Sequence, residues 1–297
     1  MTASENTSSQ PACRICGGHT EIVGAVEGSF SGRSYHLRRC DVCRYAFIAD
    51  PWTDFARIYD DAYYAGKGAD PLVDYEFELA SPEDTIRVYE WRGITRVVAT
   101  LLGGLDGVRW LDFGAGNGGL VRYVAAHTPA TAVGFEEGSI ARRASELGIP
   151  VSSEPLSDEE GGFDVVTAIE VLEHTLDPVA ELRRIRSLLR PGGLLLLTTG
   201  NAAPYASRLT RWPYVIPEIH ISFFEPATLV RAFQTAGFRT AAMPPAGGFD
   251  EVLKFKVLKN LRLRRRSRWT DLIPARPVAV AADAKAHLRA HPIAWAV

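Results

Sequence analysis

Nine consecutive residues constrain this chain more than any others: Leu111-Asp112-Phe113-Gly114-Ala115-Gly116-Asn117-Gly118-Gly119. They lead from an apolar stretch straight into a helical pattern. A glycine-rich turn there lets the backbone bend sharply and lie close to a ligand. The spacing is G-x-G-x-G without a lysine, so the turn is not a P-loop. Asp112, at the end of the strand, would repel a pyrophosphate and attract an ammonium or a sulfonium. Glu136 ends the next apolar stretch, where a carboxylate can accept hydrogen bonds from ribose hydroxyls. Two acids and no cationic clamp favour an adenosyl ligand that carries no phosphate.

Apolar strands and amphipathic helices alternate around this turn. Strands are expected over 108–113, 131–135, 163–169, 194–198, 238–243 and 252–258, and helices over 84–102, 119–127, 139–147, 177–189 and 226–236. The pattern implies an α/β fold with a parallel sheet covered on both faces, its last two strands pairing antiparallel at an edge. With 297 residues, 46% hydrophobic and 23% charged, the chain can bury a substantial core in one or two domains.

The four cysteines form two C-x-x-C pairs, Cys13/Cys16 and Cys40/Cys43, separated by residues 17–39. In a chain read as cytoplasmic, that spacing points to four thiolates around a structural Zn²⁺ before it points to disulfides. A β-hairpin with its turn near residues 30–35 fits between the pairs, giving a zinc-ribbon-like β module. His19 and His36 are spare donors.

The expected organisation is a disordered leader (1–11), the zinc-binding module (12–48), an aromatic-rich connector (49–83) and the α/β domain (84–258). That domain carries a long insertion over 200–225, and a basic, then Ala/Pro-rich tail follows (259–297). The tail is expected to be poorly ordered or to form a docking helix over 278–290. Its first ten residues hold Lys259, Arg262, Arg264, Arg265, Arg266 and Arg268 beside Leu261 and Leu263. They can form a solvated face or dock on an anionic membrane or nucleic acid. The net charge of -2 gives no general support to nucleic-acid binding. No apolar run approaches the ~20 residues of a membrane span, and residues 1–10 lack the features of a secretory signal, so a cytoplasmic location is expected.

Leu111 to Gly119, Glu136, Phe163-Asp164-Val165-Val166 and Leu189-Arg190-Pro191-Gly192-Gly193 together resemble the class I S-adenosylmethionine-dependent methyltransferases, over about residues 85–258. The resemblance implies a Rossmann-like, doubly wound seven-stranded sheet whose last strand is inserted antiparallel. It also implies that Gly114, Gly116 and Gly118 line S-adenosylmethionine, that Asp112 holds its methionine end, and that Glu136 binds its ribose. Glu170-Val171-Leu172-Glu173-His174 resembles the subgroup containing ubiquinone-biosynthesis O-methyltransferases and many small-molecule methyltransferases, where this stretch borders the transferred methyl. Glu170 is therefore placed with the cofactor-binding residues. Glu170, Glu173 and His174 can hold a divalent cation such as Mg²⁺, orient His174 as a general base, or serve structurally.

The acceptor pocket is expected within 200–225, with Tyr205, Trp212, Tyr214 and Phe223 as aromatic walls and Arg208 and Arg211 as cations. His220, in His220-Ile221-Ser222-Phe223-Phe224-Glu225-Pro226, is a second candidate base; this segment resembles the approach to a helix in the same subgroup. A four-cysteine module ahead of a methyltransferase also resembles enzymes of natural-product and polysaccharide clusters. The expected function is thus methyl transfer, to oxygen or carbon, on a small natural-product, sugar or quinone-like acceptor. Two other classes fit parts of the pattern: an RNA-binding or RNA-modifying methyltransferase using the module and the basic tail, and a non-catalytic cofactor-binding partner protein. The near-neutral charge argues against the first, and the intact loop with both acids against the second.

Overall fold

A computed structural model describes residues 11–68, 74–154, 156, 162–242, 248–278 and 292–296. The N-terminal part is a small antiparallel sheet. β1 (Thr20–Glu27) pairs with β2 (Ser34–Cys40), and β2 with β3 (Ala46–Ile48). A turn of 3-10 helix (Phe55–Arg57) and two short helices follow, α1 (Asp61–Tyr64) and α2 (Tyr75–Ala80). Asp60 and Asp74 start these two helices, each accepting a hydrogen bond from a first-turn backbone amide, the usual work of an aspartate N-cap.

The α/β part begins with α3 (Arg87–Leu102), which stops at Gly103 in the left-handed conformation. Strands and helices then alternate: β4 (Arg109–Phe113), α4 (Gly119–His127), β5 (Thr131–Phe135), α5 (Ile140–Glu146), β6 (Val151–Ser152), β7 (Phe163–Ile169), α6 (Pro178–Leu188) and β8 (Leu189–Thr198). After a long loop come β9 (Ser222–Phe223), α7 (Pro226–Thr235), β10 (Phe238–Ala242), α8 (Phe249–Asn260), α9 (Arg268–Leu272) and β11 (Pro292–Ala296). The seven-stranded sheet has the order β10-β11-β8-β7-β4-β5-β6, and β11 is antiparallel to both neighbours. The expected doubly wound sheet with an antiparallel last strand is present.

The seventh strand is not where the pattern placed it. Residues 252–258 lie in α8, whose ends carry Asp250 and Glu251 in the first turn and Lys259 in the last, matching the helix dipole. The apolar residues at 252, 253, 255 and 258 suit either period, and the charges at the ends decide for the helix. The antiparallel strand is supplied instead by residues 292–296. The leader, apart from residue 11, and the helix expected over 278–290, apart from residue 278, lie outside the described residues.

Each strand of a sheet covered on both faces sends alternate residues to opposite sides. Leu111, Val166, Leu195 and Leu197 pack with Leu182, Ile185, Leu229 and Phe233 of α6 and α7. Trp110, Val165, Leu194 and Leu196 pack with Trp91, Val98, Leu120 and Val124 of α3 and α4. Cys13, Cys40, Cys43, Tyr45 and Phe47 belong to the first of these cores. The small sheet is also completed from the other part: β9 pairs with β3, Ala46 opposite Phe223 and Phe47 opposite Ser222. No helix among the described residues is long and apolar enough to cross a membrane.

Candidate active site

The glycine turn sits at the carboxyl end of β4, where open α/β sheets bind ligands. Gly114, Gly116 and Gly118 have φ of 74°, 54° and 72°, a left-handed turn that favours glycine. At Gly118 a Cβ would also come within 2.7 Å of Ile149 and Val151. The amides of Gly114 and Ala115 both donate to the Phe135 carbonyl, at 2.8 and 2.9 Å, tying the turn to the end of β5. Glu136 accepts from the amides of Gly116 (2.9 Å) and Gly138 (2.7 Å). Burial pushes its pKa up while these two amides oppose the shift. A carboxylate offers about four lone-pair sites, so two remain for ligand hydroxyls. Asp112 accepts from Thr167 Oγ1 at 2.7 Å, and burial pushes its pKa up to about 7.

A cavity of about 1690 Å³ runs from this turn past the ends of β7 and β8. Single-ligand pockets are roughly 300–1,000 Å³, so this one has room for a cofactor and an acceptor side by side. Gly114 and Glu136 line one end, while Asp112, Gly116 and Gly118 shape the turn behind it. Tyr64 and Tyr75 stack with ring centroids 6.0 Å apart, and both line the cavity. Tyr75 lies 3.2 Å from where a Cβ on Gly116 would be, so the connector places its rings over the glycine turn. The aromatic density of residues 49–83 was the signal for this; the pattern could not say which surface they cover.

At the other end Glu170 takes a left-handed φ of 56°, a strained conformation for a non-glycine residue. It accepts from Thr198 Oγ1 (2.9 Å) and pairs with Lys256 on α8 (3.0 Å). Burial would push its pKa up, but Lys256 and Lys259 outweigh this and hold it below the usual carboxylate range. Glu173, fully buried, accepts from Thr199 Oγ1 (2.8 Å) and the Tyr214 hydroxyl (2.5 Å), which also lies 3.0 Å from Glu170. Burial and the neighbouring Glu170 push Glu173 up to about 8. Two adjacent carboxyls thus hold opposite protonation states near neutral pH. The apolar pattern of residues 252–258 predicts a strand, which gives no reason to expect Lys256 at this site; as part of α8 it reaches Glu170.

His174 and His220 come together, ring centroids 4.9 Å apart. His174 Nδ1 lies 2.8 Å from the Ile219 carbonyl and 3.1 Å from the Tyr59 hydroxyl; His220 Nδ1 lies 2.5 Å from the Tyr214 carbonyl. A ring nitrogen that close to a carbonyl carries the proton, which leaves the lone pair of each neutral imidazole on Nε2. Both histidines line the cavity, as do Tyr205, Trp212 and Tyr214, which stack in series at 5.5 and 4.9 Å. Arg208 lies over Tyr205 and also lines the cavity. Phe223 does not: it is buried in β9 against β3 and Trp212, so the expected fourth aromatic wall is a core residue. Its position in a strand, rather than in the loop proper, turns the ring inward.

Residues 85–242, more than half of the chain, match a family model described as a methyltransferase domain. The chain belongs to this methyltransferase family. The methyltransferase is 33% identical over 177 residues to the "ubiquinone biosynthesis O-methyltransferase" of Aeromonas salmonicida, an overlap of 54% of this chain and 74% of that one. It is 43% identical over 115 residues to the protein of the same name from Xanthomonas euvesicatoria, 35% of this chain and 48% of that one. The methyltransferase thus spans between about half and three quarters of these relatives' length. Among solved structures it is similar to the magnesium protoporphyrin IX methyltransferase of Synechocystis, at 21% identity and a TM-score of 0.41, covering 52% of this chain and 76% of that one.

The methyltransferase's four cysteines converge. Cys13 and Cys43 sulfurs are 3.4 Å apart and Cys16 and Cys40 sulfurs 3.6 Å, and all four sulfurs lie within 4.8 Å of one another. Zinc–thiolate bonds of about 2.3 Å in a tetrahedron put the sulfurs about 3.8 Å apart, so the set fits that ion with little adjustment. Hydrogen bonding from Cys43 lowers the Cys13 thiol to about 5, already favouring one thiolate. A second group able to hold a cation is Glu173, His174 and His220, with one donor atom from each within the same limit.

Proposed function

We propose that this methyltransferase methylates a hydroxyl oxygen of a small planar acceptor of the phenol or quinol kind. The observation that carries this reading is the pair of histidines whose lone pairs sit on Nε2, beside a ladder of stacked aromatic rings in the same cavity as the glycine turn. Relatives named as O-methyltransferases support it. Bound S-adenosylmethionine supplies a methyl group already activated by its sulfonium. The glycine turn, Glu136 and Asp112 hold that cofactor by its backbone-facing edge, its ribose and its cationic end. Tyr205, Trp212 and Tyr214 orient the acceptor ring. His174 or His220 would accept the hydroxyl proton at Nε2 as the acceptor oxygen takes the methyl group from the sulfonium, which would leave as the neutral thioether; the Ile219 carbonyl and Tyr59 hold His174, and Tyr214, itself fixed by Glu173, holds His220.

A second reading of the proton step rests on the Glu173, His174 and His220 donor set: a divalent cation bound there would lower the acceptor's pKa directly. The four cysteines hold Zn²⁺ in a structural role, and the cysteine module, the connector with Tyr59, Tyr64 and Tyr75, and the α/β domain act as one catalytic unit. Calorimetric titration with S-adenosylhomocysteine, comparing the native protein with Asp112→Ala and Glu136→Ala, tests the cofactor end. A catechol and quinol screen, with and without chelator, tests the acceptor end. Cofactor binding lost in the variants and chelator-resistant turnover support the histidine reading. Turnover abolished by chelator and restored by Mg²⁺ selects the cation, and a lack of cofactor binding overturns both.

A further inference from the structure

Residues 259–268 hold six cations and no carboxylate in a chain whose net charge is -2, and methyl transfer uses none of the arginines. The structure fixes this segment's backbone firmly. The chain leaves α8 through Arg262 and runs alongside the residues before α3. Ile86 N donates to the Arg264 carbonyl (3.1 Å) and Arg266 N to the Asp84 carbonyl (2.6 Å). Ser267 caps α9 in a reciprocal pair with Thr270, and Tyr89 of α3 donates to Thr270 Oγ1 at 2.9 Å. α9 is thus pinned through the Thr270 side.

The opposite side is apolar and open. Trp269 and Leu272, three residues apart and so on one helix face, are 80% and 73% exposed, and Leu261 and Leu263, earlier in the same segment, are 67% and 41% exposed. Large side chains held in water by an ordered backbone mark an interaction surface rather than a frayed end. Arg264 and Arg266 pair with Asp74 and Asp271, and Arg265 lies over Phe77. Arg262 and Arg268 are exposed and have no carboxylate partner among the described residues.

We propose that residues 261–272 form a surface anchor for a bilayer rich in anionic headgroups. Unpaired arginines complement lipid phosphates, a tryptophan suits the headgroup boundary, and leucines gain only where hydrocarbon is within reach. A nucleic acid would satisfy the arginines and leave the leucines in water. The anchor starts one residue beyond Asn260, which lines the cavity, so a bound bilayer lies beside the wall that α8 gives to the acceptor.

Co-sedimentation of the full chain with vesicles tests this. Binding is expected to vesicles of equal parts phosphatidylcholine and phosphatidylglycerol but not to phosphatidylcholine alone. It is expected to fall steeply in about 1 M salt, where charge is screened within roughly 3 Å. Trp269→Ser with Leu272→Ser, and separately Arg262→Gln with Arg268→Gln, should each weaken binding about tenfold or more. Both should leave S-adenosylhomocysteine affinity unchanged. Absence of vesicle binding, or its survival in both double variants, overturns the proposal. So does binding to a mixed-sequence RNA that needs the arginines but not Trp269 and Leu272. A dimer that dissociates in Trp269→Ser, without vesicle binding, overturns it in favour of a second copy of this chain.

Discussion

The two ends of the cavity are built in different ways. The cofactor end is local: Gly116 reaches Glu136 across 20 positions, and Gly138 reaches it across two. The acceptor end is assembled from distant segments. Tyr59 meets His174 across 115 positions, and His174 meets Ile219 across 45. The loop carrying His220 is anchored in turn on the cysteine module. The Tyr45 hydroxyl meets Ser222 Oγ at 2.7 Å, Thr228 Oγ1 donates to the Cys43 carbonyl at 2.6 Å, and Arg39 pairs with Glu225. Glu218, fully buried, accepts from the amides of Phe30 and Ser31 in the β1–β2 turn, at 3.1 and 3.0 Å. The module therefore acts as the floor under the loop of residues 200–225, whereas the cofactor end rests on the sheet and on the rings of Tyr64 and Tyr75.

The most direct way to break this contrast is Cys40→Ser with Cys43→Ser. Loss of two of the four clustered thiols should release β3 and with it β9, displacing His220 and Tyr214. Turnover should fall by about 10²–10⁴-fold, the usual worth of a positioned base. S-adenosylhomocysteine affinity, read by calorimetry, should change by less than about threefold. Equal loss of both would mean that the module supports the whole fold. The converse variant, Glu136→Ala, should weaken cofactor binding about 10–100-fold, as expected for hydrogen bonds to a charged group. It should also lower the thermal transition modestly, because the amides of Gly116 and Gly138 lose their acceptor.

A gentler test is Glu218→Gln. The amide oxygen can still accept from Phe30 and Ser31, but the charge that strengthens both bonds is gone. A loss of about 1–2 kcal/mol in stability is expected, confined to the module. Acceptor KM should rise while cofactor affinity holds. Amide hydrogen exchange would read it: faster exchange in residues 20–48 and 209–223, with β4 and β5 unaltered.

The same division explains what the amino-acid pattern revealed. The turn, both acids and the alternation of strands and helices are written in short stretches, because a buried strand and a glycine turn impose residue types locally. The cysteine spacing announced a cluster of four thiols for the same reason. The joining of β9 to β3 left no local trace, since two residues of strand look like any loop. Phe223 was misplaced on that account. Tyr59, Tyr64 and Tyr75 were visible only as an excess of rings, because what they cover depends on how the connector folds back over the glycine turn. The strand over 292–296 competes in the sequence with an equally apolar stretch at 252–258, and only the charges flanking that stretch favour a helix.

The smallest effect expected comes from protons. Asp112 lies behind the glycine turn with its pKa raised by burial from 3.8 to about 7. In the ligand-free protein the proton is held more tightly than in the unfolded chain. Stability is therefore lost as pH rises from about 4 to about 7, and Asp112→Asn should stabilise the ligand-free protein at pH 8 but not at pH 4. Cofactor binding runs the other way. A cationic ligand end favours the ionised carboxylate and competes with the proton. Affinity for S-adenosylmethionine should thus drop about tenfold between pH 8 and pH 6 in the native protein and stay flat in Asp112→Asn. Calorimetry at the two pH values in both proteins separates this from a general acid effect. A slope that survives in Asp112→Asn would assign the titration to Glu136, whose pKa burial also raises, and would move the decisive charge from the cationic end of the cofactor to its ribose.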